Sequence, residues 1–246
     1  MWTAILWGGV AGSASLLGAL TVLIFDVKKR IIGYIMALGV GALIAATTYE
    51  LLGEAVEQAG FFEAAIGFLG GALIFTVFDS FVSKKGGHKR KHSEGRNTAE
   101  SDKSGSGLAI FIGTVMDAIP ESAMIGVSLI GGHSVGLSLV AAIFISNFPE
   151  GLSSTVGLQK DGYSRAKVFA MWAAVIIFSA LSSLAGFALL DKAGDSVQAI
   201  ISAFAGGGIT AMIASTMMPE AFKEGGPAVG FITAVGIFIT LMLGSL

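Results

Sequence analysis

The 246-residue chain has no cysteine, only four prolines and little charge, with 13% of its residues Asp, Glu, Lys or Arg. Without cysteine there are no disulfides, no thiolate metal sites and no cysteine nucleophile. Soluble chains carry about 25% charge, and half of that leaves too little polar surface to cover a globule. A formal net charge of -2 gives no basic excess to displace counterions from phosphates, which argues against nucleic acid as a partner. What the chain does have is apolar bulk and small residues: 54% hydrophobic, with 35 glycines.

A helix needs about 20 apolar residues to cross a hydrocarbon core of about 30 Å. Eight runs of that kind, none with an interior Lys or Arg, are predicted at 3–25, 31–52, 61–82, 107–130, 134–158, 168–190, 196–219 and 227–245. The expected fold is therefore all-α: one polytopic domain over 1–246 with eight transmembrane helices in the lipid bilayer of the cell membrane. Residues 83–106 are polar, rich in Gly and Ser, and read as a flexible cytoplasmic loop between the third and fourth helices. The first run has no basic flank and no evident cleavage site, so it reads as a true span and not as a signal peptide.

Orientation follows from Lys and Arg in the short connections. Lys28, Lys29 and Arg30 follow the first run, seven basic residues from Lys84 to Lys103 the third, Lys160, Arg165 and Lys167 the fifth, and Lys223 the seventh; only Lys192 falls on the opposite side. With an even number of spans, both termini are expected outside the cytoplasm.

The stretch Gly41–Ala55 aligns without gaps on Gly207–Ala221, with Gly41/Gly207, Ala45/Ala211, Glu54/Glu220 and Ala55/Ala221 identical. Read as a repeat, it runs spans 1–3 and 6–8 in opposite senses around spans 4 and 5, an inverted 3+2+3 arrangement. Such repeats, with a site near the midplane, are typical of transporters.

Acids enter the apolar runs although basic residues do not. Asp117 and Glu121 lie in the fourth run, Glu150 in the fifth, and Glu50 toward the outer end of the second. A carboxylate at bilayer depth costs at least about 2.5–3.5 kcal/mol. Burial can neutralise such acids by protonation; the other solution is a cation from outside the protein. Local context favours the cation. Asp117 and Glu121 share a helix face, and Pro120 and Pro149 each precede an acid, releasing the carbonyls of Met116 and Ile145 from their helical bonds. Ser146, Asn147, Ser153, Ser154 and Thr155 add oxygens on the fifth run. An oxygen-rich cavity with two or three negative charges suits a divalent cation.

The segments Asp117-Ala-Ile-Pro-Glu-Ser122 and Ser146-Asn-Phe-Pro-Glu-Gly151 resemble the fourth- and fifth-span motifs of the ZIP (Zrt/Irt-like, zinc-iron permease) family of metal transporters. The resemblance extends to the eight spans, the outside termini, the loop after span 3 and a Pro-Glu near the end of span 7. It implies a permease that moves divalent metal into the cytoplasm through a site between spans 4 and 5, flanked by spans 2 and 7. The departures are specific. Asp117 and Ser146 stand where the family has histidines, Ala118 where it has an asparagine, and the neutral Ser215 and Thr216 where two-metal members carry an acid. One metal site is therefore expected, formed by Asp117, Glu121, Glu150, Ser146, Asn147 and Glu50. Its all-oxygen donors favour Mn²⁺, Mg²⁺ or Fe²⁺ over Zn²⁺, although carboxylates bind zinc too. The metal is cargo, and no cofactor is expected.

Two other functions compete. Paired acids can share a proton and activate water, as in an intramembrane hydrolase, but the chain lacks the Gly-x-Gly-Asp segment of intramembrane aspartyl proteases. A proton-coupled carrier of organic cations would want aromatic walls, and the fourth and fifth runs offer only Phe111, Phe144 and Phe148. The protein is accordingly read as a transporter and not an enzyme. His88 and His92 belong to a basic, lipid-facing loop, and His133 to a surface turn. Glu54 and Glu57 form a solvated helix end or an acidic vestibule, and Glu220 and Glu224 a helix end or an inner exit. The oligomeric state is open, a homodimer included.

Overall fold

The computed structural model describes residues 1–84, 106–130 and 136–245, and for 82–84, 106–113, 116 and 117 the backbone alone. Among the described residues every element is helical: α1 (Trp2–Ile24), α2 (Lys29–Ala46), α3 (Glu54–Ala59), α4 (Phe61–Lys84), α5 (Ser106–Val127), α6 (Leu137–Lys160), α7 (Arg165–Leu190), α8 (Asp195–Met212), α9 (Met218–Gly225) and α10 (Val229–Gly244). His88, His92, His133 and most of the 83–106 loop lie outside the described residues.

Six described stretches are long and apolar enough to cross a membrane: Trp2–Ile24, Lys29–Ala59, Phe61–Phe81, Leu137–Lys160, Arg165–Leu190 and Asp195–Gly244. The last is broken at Gly226, whose φ of 70° a side chain would strain, so α9 and α10 are separate helices. In α5 the apolar part that qualifies by composition is the shorter Ala118–Val127.

Two helices outrun their predicted ends. The second continues past residue 52 to Ala59 and the seventh past 219 to Gly225, each through a π-helical segment, Thr47–Gly53 and Ile213–Met217. Glutamates beyond the apolar run are good helix formers, so nothing local stops the helix until Gly60, with φ 97°, or Gly226. The π segments begin at aligned positions, Thr47 opposite Ile213.

Glycine decides which helices pair. Side chains at Gly18 and Gly151 would collide with the carbonyls of Phe148 and Ser15, joining α1 to α6; Gly186 and Gly126 do the same with Ala123 and Ser183, joining α7 to α5. Gly41 and Gly236 meet the carbonyls of Thr233 and Leu38 between α2 and α10, and Gly207 and Gly71 those of Phe68 and Phe204 between α8 and α4. Each pairing is reciprocal, glycine against backbone in both directions, the close approach that small residues permit in membranes. The pairings also correspond. The alignment that sets Gly41 on Gly207 sets Leu38 on Phe204, and the α2–α10 knot becomes the α8–α4 knot.

The helices thus form two groups. α1, α5, α6 and α7 pack on one another, as do α2, α3, α4, α8, α9 and α10. The main seam between the groups runs along α2 and α6. Over the half nearer the start of α6 it is sealed by Leu43 of α2 with Leu139, Val140 and Ile143 of α6 and Met124 and Ile125 of α5, each at most 4% exposed.

Candidate metal centre

The two proline-bearing helices are neighbours. Thr114 Oγ1 of α5 lies 3.4 Å from Ser154 Oγ of α6, while the later part of α5 and the early part of α6 share one apolar cluster that includes Ile125 and Ile143, so α5 and α6 run antiparallel. At 1.5 Å rise per residue, this register brings Glu121 level with Asn147, and the backbone of Asp117 level with Glu150 and Gly151. Both helices continue through Pro120 and Pro149.

Glu121 is 1% exposed, the one fully buried charged side chain among the described residues; Ser122, Ser146 and Asn147 are buried as well. Glu150 is half-buried. Asn147 Nδ2 donates to the Ala11 carbonyl of α1 at 3.4 Å, which fixes the amide, and its Oδ1 is buried with no hydrogen-bond partner among the described residues. A buried amide oxygen left this way costs about 1–3 kcal/mol, an arrangement that a bound cation would relieve. Ser146 spends its proton on the Ile143 carbonyl at 2.9 Å and keeps its lone pairs for another donor or a metal.

The carbonyl released by Pro149 does not face open space. A Cβ on Gly39 of α2 would stand 3.1 Å from Ile145 O and 2.8 Å from Ser146 Cα, so α2 covers it at close range. Toward the C-terminal end of α6 the surroundings turn polar. Ser153 Oγ donates to the Glu220 carboxylate of α9, and buried Trp172 Nε1 donates to Thr155 Oγ1 at 2.9 Å. Ser215 and Thr216, in the second π segment, lie 3.3 Å apart, oxygen to oxygen.

Glu50 is not brought to this cluster. Its carboxylate accepts hydrogen bonds from the Ser138 hydroxyl and the Leu139 backbone N–H, in the first turn of α6. Ser138 precedes Ser146 by roughly 12 Å and Glu150 by roughly 18 Å along the helix, too far for one ion to bridge. Glu50 thus stands apart from Glu121, Glu150, Ser146 and Asn147, at the N-terminal end of α6. Of the other five expected residues, Glu121, Glu150, Ser146 and Asn147 lie within about one helical turn of a common level. The side chain of Asp117 lies outside the described residues, although its backbone shares that level. Among the described residues no group of three or more His, Asp or Glu could hold a metal ion.

Sequence reasoning singled out neither the Ala11 carbonyl that orients Asn147 nor Gly39 over Ile145. Both contacts come from other helices, and the sequence signals only that the contacting residues are small.

No protein-family model matches the chain. The chain is similar to "Putative zinc transporter At3g08650" of Arabidopsis thaliana, 26% identical over 220 residues that make up 88% of this chain and 34% of that protein. It is also similar to "Zinc transporter ZTP29" of Arabidopsis thaliana, 25% identical over 143 residues, 53% of this chain and 52% of that protein. The chain thus spans about a third of the first relative's length and about half of the second's. Both relatives of this all-helical, apolar chain carry names of metal transporters.

Proposed function

We propose that the protein is a divalent metal-ion transporter of the ZIP kind, carrying metal into the cytoplasm through one oxygen-lined site between α5 and α6. The observation that carries this reading is the pair of adjacent antiparallel helices on which Glu121 and Asn147 share a level and Glu150 follows one turn on, with the Asn147 amide oxygen buried and without a hydrogen-bond partner among the described residues. The names of the two relatives support the class of cargo. The site consists of Asp117, Glu121, Glu150, Ser146 and Asn147. The carboxylates supply charge, Asn147 and Ser146 supply neutral oxygens, and no imidazole or thiolate takes part. Mn²⁺, Fe²⁺ and Mg²⁺ are the preferred cargo on ligand hardness, with Zn²⁺ as the competitor that carboxylates also accept.

The corresponding glycine knots and π segments support eight spans in an inverted 3+2+3 arrangement around α5 and α6. The basic residues at the C-terminal end of α6 assign that end to the cytoplasm and both chain termini to the outside of the cell membrane.

The test is uptake of Mn²⁺, Fe²⁺, Mg²⁺ and Zn²⁺ into proteoliposomes by wild type, Glu121→Ala and Glu150→Ala. Both variants are expected to fall to background for every ion. Equal uptake by all three proteins removes the site, and a strict zinc preference untouched by Asp117→Ala overturns the assignment of selectivity.

A further inference from the structure

The acid that stands apart from the metal centre has a place of its own. Glu50 sits on the π segment of the helix that begins as α2, and its carboxylate receives the Ser138 hydroxyl and the Leu139 N–H of α6. α6 has Gly136 at its N-cap and no side-chain cap from its own chain segment. A Cβ on Gly136 would stand 3.0 Å from Glu50 Oε2, so the carboxylate occupies the space over the helix end. An anion there satisfies an orphan N–H and meets the positive end of the helix dipole. The cap is thus supplied across the seam between the two helix groups.

This cross-seam cap stands over an apolar part of the seam. Beneath it lie Leu139, Val140 and Ile143 of α6 and Leu43 of α2, and beneath those the level of Glu121 and Asn147, where Gly39 of α2 lies against Ser146. At the far side of the centre a second acid of the same group, Glu220, holds α6 through Ser153. One group therefore holds α6 on both sides of the level of Glu121 and Asn147. An ion coming from outside passes the end held by Glu50 and then the side chains of Leu43, Leu139, Val140 and Ile143, which offer it no ligand.

We propose that Glu50 is a latch: its hydrogen bonds to Ser138 and Leu139 hold the apolar seal closed on the outer side, and their release from the α6 N-terminus opens the way to Glu121. The word "outer" rests on the transporter reading above, but the latch itself does not require transport. Glu50 is a positioning residue here, acting on the path through α6 and not on the ion.

The absence of cysteine from the chain makes a direct test available. A single cysteine at Ile143, which is fully buried in the seal, is introduced and its labelling rate by a membrane-impermeant maleimide is measured from outside intact cells. With Glu50→Ala added, labelling is expected to accelerate on the order of tenfold, the scale set by losing a hydrogen bond to a charged group. Glu50→Gln keeps an acceptor oxygen and is expected to stay near the parent rate; Ser138→Ala is expected to fall between. Glu220→Ala, at the opposite grip, is expected to leave outside labelling unchanged. Unchanged labelling in Glu50→Ala, with or without a lower melting temperature, reduces Glu50 to a structural cap and overturns the latch. Metal uptake measured on the same variants separates the two ideas. Faster labelling without uptake by any protein, the parent included, sinks the transporter reading and leaves the latch standing; normal uptake with unchanged labelling does the reverse.

Discussion

In α2–α3 a π turn begins at Thr47, and in α8–α9 another begins at Ile213, the residue aligned with it. Each helix is locked to a neighbour by the same reciprocal glycine contacts, Gly41 and Gly236 in one half and Gly207 and Gly71 in the other. Yet at the fourth position of the π turn the first helix carries Glu50 and the second Thr216. Glu50 crosses to another helix end, whereas Thr216 lies beside Ser215 of its own turn. The backbone device is duplicated and the chemistry is not. A π turn widens the helix by one residue and often accompanies function; here each half uses that widening with a different side chain.

The same inequality appears in the central pair. The α1–α6 and α7–α5 knots equate Phe148 with Ala123 and Gly151 with Gly126. On that correspondence Glu121 falls opposite Ser146 and Glu150 opposite Ile125, so the two Pro-Glu segments are not copies of one another. They are displaced by one helical turn, which moves the acids toward the C-terminal end of α6 and leaves the other half to the apolar seal. Similar motifs on two helices thus stand at unequal levels and do not form a symmetric pair.

The largest difference between equivalent positions should appear at Glu150 and Ile125. Glu150→Ala is expected to bring metal uptake to background, while Ile125→Val keeps uptake and costs about 0.5–1.5 kcal/mol of stability; comparable loss of uptake in both would break the asymmetry. Packing should behave in the opposite way. Gly41→Val and Gly207→Val each drive a side chain into a backbone carbonyl and are expected to cost about 1–3 kcal/mol or more, seen as equal falls in the thermal midpoint in detergent. A fall in only one of them would end the equivalence of the knots. At the π turns, Glu50→Ala should speed outside labelling of a cysteine in the seal, whereas Thr216→Ala should not. The smallest effect is expected for Thr155→Val, which removes the bond from Trp172 at nearly constant volume; interhelical bonds in membranes average about 0.6 kcal/mol, so the midpoint should move by only a degree or two.

Much of the molecule was legible before the helices were assembled. The apolar runs mark helices whose observed ends fall within a few residues of those expected, except where glutamates carry α3 and α9 beyond the apolar stretch. The Gly41/Gly207 alignment, resting on four identities, turned out to include two of the glycines that lock helices together. Pro120 and Pro149 pointed to the two helices that carry the candidate centre. The place of Glu50 was not legible. Its position toward the outer end of the second run set it among the acids of the apolar runs, and only the neighbouring N-terminus of α6, distant in sequence, explains where the carboxylate goes.

Composition and periodicity by themselves determined that this chain is helical, apolar and acidic within its apolar runs, because those properties depend on each residue's own transfer free energy and on its near neighbours. The tertiary structure alone decided which carbonyl each glycine meets, that Asn147 turns one end of its amide to Ala11 and leaves the other buried, and that Glu50 reaches the first turn of α6. Those outcomes depend on contacts between helices far apart in the chain. Close approach and hydrogen-bond geometry set them, and neither is written in the order of residues along a single helix.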